Sequence, residues 1–243
     1  MTGNAPLRAR TGVIARLGVA QTLAWGSTYY LPAILANPMA AELGTSTAAV
    51  FLAFSVGLLV AGFLGPFAGR MIDLHGGHRV LPVSNLLCAA GLALLATASG
   101  PWTLALSWLV IGLGMSAGLY EAAFSSLAHM YGADARGAIT GITLIAGFAS
   151  TVCWPLSAWL DASLGWRMTC WVWVAVHLVV CLPLNLSLPR VRAAPAPAQE
   201  TSNESPAPRA FWLMAGLSFV FGAGWFGSTA MAAHLPRLLE QSG

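Results

Sequence analysis

The chain has 243 residues, of which 57% are hydrophobic and only 8% charged, with a mean hydropathy of +0.73. A soluble domain carries about 25% charged residues, so a surface this poor in charge excludes a water-soluble globule and points to a lipid bilayer as the solvent. The net charge of +3 comes from 11 basic residues, all of them arginine, and so small an excess gives no case for a nucleic-acid partner.

About 20 apolar residues cross roughly 30 Å of hydrocarbon. By that measure seven stretches are predicted to be transmembrane helices: 17–36, 47–68, 80–98, 103–128, 138–160, 168–188 and 211–233. The runs are continuous rather than alternating, which favours helices over barrel strands. Arg8, Arg10 and Arg16 precede the first run. That run continues without a small-residue cleavage site, so it is expected to be a retained span and not a signal peptide.

The first run sets Gln21, Trp25, Thr28 and Tyr29 at i, i+4, i+7 and i+8, on one helical face. Such a polar stripe serves either as a pocket wall or as helix–helix glue. Pro32 and Pro38 are expected to kink or end this helix.

After the second run comes "GRMIDLHGGHRVL", residues 69–81, a knot of charge holding Arg70, Asp73, His75, His78 and Arg79. Gly69 is expected at a helix end where another helix approaches closely, and Gly76–Gly77 where a turn needs positive φ. Asp73 is expected to accept from backbone N–H groups at a helix N-terminus. His75 and His78 have no carboxylate or cysteine at ligand spacing, so no metal site is expected.

The fourth run contains Glu121, about 9 Å from its middle at 1.5 Å per residue. An ionised carboxylate at that depth costs several kcal/mol unless it faces a wet cavity or a partner. Glu121, read as buried, is therefore the candidate proton-coupling residue. Gly114, Gly118 and Ser125 lie at i−7, i−3 and i+4 from it and form a small-residue stripe with room for a solute. In the fifth run Thr143, Gly147, Ser150 and Trp154 repeat the pattern, with packing the expected role. His177 in the sixth is expected to be a neutral core histidine with one hydrogen bond. Cys88, Cys153, Cys170 and Cys181 fall inside apolar runs without C-x-x-C spacing and are expected to be soft core residues.

Residues 189–209, "PRVRAAPAPAQETSNESPAPR", form a Pro/Ala-rich linker expected to be extended or disordered. It separates six runs from a seventh, whose "GWFGSTA" (224–230) echoes "AWGSTYY" (24–30) in the first, as parallel repeats would. With the N-terminus inside, one side of the membrane holds Arg8, Arg10, Arg16, Arg70, Arg79, Arg136, Arg190, Arg192 and Arg209, and the other only Arg167 and Arg237. The positive-inside rule then makes the N-terminus cytoplasmic. The expected layout is a cytoplasmic N-terminus (1–16), a six-helix N-terminal transmembrane bundle (17–188), a cytoplasmic linker (189–209) and the first span of an incomplete C-terminal bundle (210–243).

The pattern Gly69-x-x-x-Asp73-x-x-Gly76-x-x-Arg79 resembles the signature loop between spans two and three of the major facilitator superfamily, written G-x-x-x-D-R-x-G-R-R. Leu74 stands where the family has a basic residue, and Gly77-His78 replaces part of the terminal basic pair. "GWRMTCWV" (165–172) looks like the Gly-Trp-Arg entry to span six. "VIGLGMSAG" (110–118) keeps the glycines of the family's fourth-span pattern without its arginine. In "GITLIAGFASTVCWPLSAWL" (141–160), Trp154-Pro155 replaces the Gly-Pro that closes the antiporter pattern.

The resemblance implies an all-α membrane protein with an MFS-type helical bundle of seven predicted transmembrane helices, a six-helix half plus the first helix of the second half. It implies a secondary transporter, sited in a bacterial inner membrane, that moves a small solute by alternating access, with protons as candidate coupling ions and no cofactor. The first and fourth spans would line the cavity, making Gln21, Trp25, Thr28, Tyr29, Gly118 and Glu121 the substrate-binding candidates. Gly69, Arg70, Asp73, Gly76 and Arg79 would form a conformational-latch loop. The expected partners are the lipid bilayer, a small-molecule substrate, and either a missing C-terminal half or a second copy, since the family has twelve or more spans. A truncated or half-size transporter without independent activity is the alternative. A membrane-embedded enzyme is disfavoured, because the spans hold no HExxH, no second carboxylate and no Ser/His/Asp grouping.

Overall fold

The computed structural model describes residues 4–189, 212–224 and 226–227. It divides into two units, Met1–Ala194 and Pro195–Gly243. All regular structure among the described residues is helical. The linker at 190–209 and most of the "GWFGSTA" echo lie outside the described residues.

In the first unit the helices line up as six rods. The first is α1 (Asn4–Ser27) continued by α2 (Leu31–Glu42), the second α3 (Thr47–His75) and the third α4 (Gly77–Ala96). The fourth is α5 (Pro101–Gly118) plus α6 (Tyr120–Tyr131), and the fifth α7 (Ala135–Ala146) plus α8 (Ala149–Leu164). The sixth runs through α9 (Trp166–Val176), a π-helical turn His177–Cys181 and α10 (Leu182–Leu186). The second unit contains α11 (Trp212–Gly224), a short apolar helix. Six of the predicted runs overlap the six rods, and the seventh overlaps α11.

Four described stretches are long and apolar enough to cross a membrane: Thr47–His75, Gly77–Ala96, Pro101–Leu164 and Trp166–Leu186. The third of these would exceed one crossing at 1.5 Å per residue. The 3-10 turn Gly132–Asp134, with Gly132 at φ +54°, divides it into the fourth and fifth rods.

The rod ends and breaks follow from local chemistry. The hydroxyl of Ser46 accepts from the Ala49 N–H and caps α3. Pro32 comes directly after the break in the first rod, as expected of a proline. It sits in the first turn of α2, where the missing N–H costs nothing, and the break precedes it at Thr28–Tyr30. Pro38 lies inside α2.

Several helix contacts run through glycine backbone, as expected where lipid removes most of the hydrophobic drive between helices. A Cβ on Gly112 of α5 would sit 2.3 Å from the Gly57 carbonyl oxygen of α3, so the two helices cross in backbone contact. The buried apolar residues form two clusters. One surrounds Leu31, Leu35, Met39, Leu92, Leu95, Leu104, Trp108 and Trp173. The other surrounds Val13, Leu17, Ile72, Leu81, Leu127 and Ile142. Along the rods, the buried residues between the two clusters include polar ones, Gln21, Ser84, Asn85 and His177, and Ser27 and Thr28 lie within the first cluster's stretch of the first rod.

Candidate functional site

The fourth rod breaks at Leu119, whose backbone is extended (φ −88°, ψ −162°). A helix that stops in the middle of a bundle leaves carbonyls without helical donors. Gln21 of α1 answers one of them, its Nε2 donating to the Gly118 carbonyl at 2.7 Å. Gln21 is 1% exposed, and its Oε1 is buried without a partner. Gly118 is equally enclosed, because a Cβ there would meet the Ser84 Oγ of α4 at 2.4 Å. Thr28 is buried and donates to the Ala24 carbonyl at 2.6 Å. Two of the six substrate-binding candidates, Gln21 and Gly118, thus lie in the framework that joins α1, α4 and α5, while Thr28 bonds back to the end of α1.

The breaks in the first and fourth rods bring aromatic rings together. Trp25 contacts Tyr29 (5.0 Å between centroids), Tyr30 (6.1 Å) and Tyr120 (4.9 Å). The contacts extend from Tyr29 to Phe54 and Trp108, from Tyr30 to Trp154, and from Tyr120 to Phe124, whose ring lies parallel to it at 5.1 Å. Trp25, Phe54 and Trp108 are buried, whereas Tyr29, Tyr30, Tyr120, Phe124 and Trp154 are half-buried. Beside Trp154, between α2 and α8, lies a hollow of about 470 Å³ lined also by Ile34, Ser150, Thr151 and Pro155. The fifth-rod residues Ser150 and Trp154 therefore border open space.

Glu121 is exposed, contrary to the burial expected for it. The break turns α6 so that Ala122, Ala123, Ser126 and Leu127 pack inward, leaving Glu121 on the open side with the half-buried Phe124 and Ser125. Among the described residues the ion pairs join Asp73 to His129 and Glu42 to Arg167, so no described cation pairs with Glu121.

The charged knot is rearranged in detail. Gly76 has φ +79°, the turn conformation expected there. The close approach, however, is at Gly77 and not at Gly69: a Cβ on Gly77 would fall 1.7 Å from the Ser126 Oγ of α6, while Gly69 has nothing within 4 Å. Asp73 does not cap a helix. It is exposed and faces His129 Nε2 at 3.5 Å. Arg70 and Arg79 are exposed on either side of the turn.

Two polar clusters were not foreseen from the sequence. His177 has two partners rather than one: Ser27 Oγ lies 2.8 Å from Nε2, and Asn85 Oδ1 lies 3.2 Å from Nδ1. The amide nitrogen of Asn85 donates to the Leu81 carbonyl, so its oxygen accepts from the Nδ1–H, and the Ser27 hydroxyl, which donates to the Leu23 carbonyl at 2.7 Å, lies beside Nε2. The structure marks this position with the π turn that starts at His177. At the other end of the bundle, Glu42 accepts from Trp166 Nε1 and from Arg167 Nε. Arg167 also donates to the Ala96 and Ala98 carbonyls at 2.7 and 2.8 Å. The Arg167 and Trp166 hydrogen bonds hold the Glu42 carboxyl below its usual range. The signal for this clamp was the "GWR" triplet together with an acid closing α2. Among the described residues no group of His, Cys, Asp and Glu could hold a metal ion.

Comparison with known proteins matches residues 17–243 to the model of the Major Facilitator Superfamily. Proteins named "Multidrug resistance protein MdtH" from Yersinia enterocolitica, Yersinia pestis and Yersinia pseudotuberculosis are each 38% identical to the chain over 73 residues. That match covers 30% of this chain and 18% of each relative.

Proposed function

Since this chain belongs to the major facilitator superfamily, we propose that it is a secondary transporter moving a small solute by alternating access, with Glu121 as its proton-coupling residue. One observation carries the reading: the fourth rod is broken, and the carboxylate of Glu121, in the turn after the break, is exposed and paired with no described cation. Discontinuous helices are where transporters of several folds build their binding sites, because unwound backbone and free helix ends supply polar groups at membrane depth.

In this reading Tyr29, Tyr30, Tyr120, Phe124 and Trp154 form the wall that meets the solute, and Trp25 backs it. Gln21 and Gly118 fix the helix break and thereby the position of Glu121, and Thr28 steadies the break in the first rod. The loop of Gly69, Arg70, Asp73, Gly76 and Arg79 is the latch, with open Gly69 and exposed Asp73 available to a helix from a second half of the transporter. Seven spans, a cytoplasmic N-terminus, a cytoplasmic linker and a bacterial inner membrane complete the proposal. The name borne by the Yersinia relatives makes drug-like compounds the first solutes to test.

The test is solute flux in vesicles containing the intact protein under an imposed pH gradient. Glu121→Gln should abolish acceleration by the gradient while downhill exchange persists. Gradient-driven flux at the wild-type rate in that variant would remove Glu121 from the coupling role.

A further inference from the structure

We propose that the groove between α3 and α4 seats one anionic phospholipid of the leaflet that meets the Gly76 turn, with an acyl chain along the groove and the phosphate on the Arg79 guanidinium. A resident lipid goes beyond the transport reading above and takes from it only the latch face of α3.

Both α3 and α4 pack on α5 through glycine backbone. A Cβ on Gly112 would meet the Gly57 carbonyl oxygen of α3 at 2.3 Å, and one on Gly114 would meet the Cys88 Sγ of α4 at 2.5 Å. Between the two helices, toward the Gly76 turn, lies a hollow of about 360 Å³, within the roughly 300–1,000 Å³ of small-molecule sites. Phe67 and Met71 of α3 and Val83 and Leu87 of α4 wall it, and Leu113 of α5 floors it. Ser116, also on the floor, donates its hydroxyl to the Leu113 carbonyl, so the side chains offer a ligand no free donor along its length. His75 and Arg79 close one end. The His75 Nδ1 donates to the Met71 carbonyl, whereas Arg79 is exposed and no described acid pairs with it. An apolar length with a bare guanidinium at one end matches an amphiphile with an anionic phosphate head. From Leu64 to His75 the groove follows α3 for about 17 Å at 1.5 Å per residue, close to the roughly 15 Å of hydrocarbon in one leaflet. At about 3.6 residues per turn, Leu64, Ala68, Met71 and His75 share one face of α3, and Gly62, Gly65, Gly69 and Asp73 lie on roughly the opposite one. Those three glycines have nothing within 4 Å, and the latch reading gives their face to a helix of the second half. The groove face is therefore left to lipid. Free phosphate would leave the apolar walls bare, and a lipid without net charge would leave Arg79 unmatched. An anionic phospholipid meets both.

The experiment places a bimane dye on Leu86→Cys of the intact protein, an exposed position one turn from Val83. The four native cysteines are buried and give little background. Protein in phosphatidylcholine vesicles is titrated with phosphatidylglycerol or phosphatidylcholine carrying the same brominated chains, which quench the dye on contact. Phosphatidylglycerol should bind about fivefold more tightly, the scale of one arginine at an anionic bilayer surface. Arg79→Gln should cut that preference to within about twofold, while Arg136→Gln, which removes an exposed cation of α7, should leave it unchanged. Val83→Phe fills the groove from its exposed rim and should bring phosphatidylglycerol down to the level of phosphatidylcholine. Equal binding of the two lipids, a preference that survives Arg79→Gln or Val83→Phe, or an equal loss in Arg136→Gln overturns the site. Absence of quenching by either lipid also overturns it, because protein from the second half or from another copy then covers the groove. Every one of these readouts is independent of solute flux, so the transport reading stands or falls on its own test.

Discussion

At the scale of single residues, the two glycines of the charged turn have opposite roles that their sequence neighbourhood does not reveal. Gly77 is wedged against Ser126 at a separation no Cβ tolerates, and Gly69 stands in open space. Gly77→Ala should lower the stability of the detergent-solubilised protein by about 1–3 kcal/mol, the range for overpacking a tight contact, read as a fall in melting temperature. Gly69→Ala replaces a half-buried glycine inside α3, where alanine gains up to about 1 kcal/mol through the unfolded chain. Stability should hold or rise while transport slows, if a second-half helix needs that space for the latch. A full transport rate in Gly69→Ala would dismiss the latch contact. The contrast explains why spacing alone misassigned the close approach. The motif tells that two glycine positions matter, but only the angle between α4 and α6 decides which of them is crowded.

At the scale of elements, the rods were legible because apolar runs of about 20 residues have few other uses, and the turn at Gly76 because two adjacent glycines punctuate a charged segment. The breaks at Leu119 and Gly147–Phe148 were not, since no proline marks either one. Each is set by packing: Gln21 takes up the freed Gly118 carbonyl, a contact between residues 97 positions apart. Missing the first break also misplaced Glu121, because an unbroken helix would have carried it to a different side. The same long-range logic governs His177, which ties the sixth rod to α1 and α4. His177→Phe keeps the bulk and removes both bonds, and should cost about 1–2 kcal/mol, the scale of interhelical hydrogen bonds in membranes. An unaltered melting temperature would show the junction to be energetically idle. The Glu42 clamp gives a pH signature. Its carboxyl titrates lower in the folded protein than in the unfolded chain, so its contribution is complete above the ordinary carboxylate range and drains away as pH falls through the depressed folded value. Melting temperature followed from pH 7 downward should therefore drop more in the wild type than in Glu42→Gln, and parallel curves would deny the clamp its stabilising part.

At the scale of the whole molecule, the arginines sort by end. Arg10 donates to the Asp134 carbonyl, Arg16 to the Ser187 carbonyl, and Arg70 and Arg79 flank the turn that packs on α6. These contacts gather at one end of the bundle with Arg136, while Arg167 lies at the opposite end with Glu42 and the Ala96 and Ala98 carbonyls. Five described arginine side chains against one is the asymmetry that the positive-inside rule converts into orientation. The crowded end should therefore face the cytoplasm. Because the native cysteines are buried, single surface cysteines can test this directly with a membrane-impermeant thiol reagent on intact cells. Arg79→Cys should react only after the membrane is opened, and Ser99→Cys, in the turn beside the Arg167 clamp, should react from outside. The reverse pattern would invert the protein. The Asp73 loop would then lie outside, where the latch proposed for the cytoplasmic face has no place.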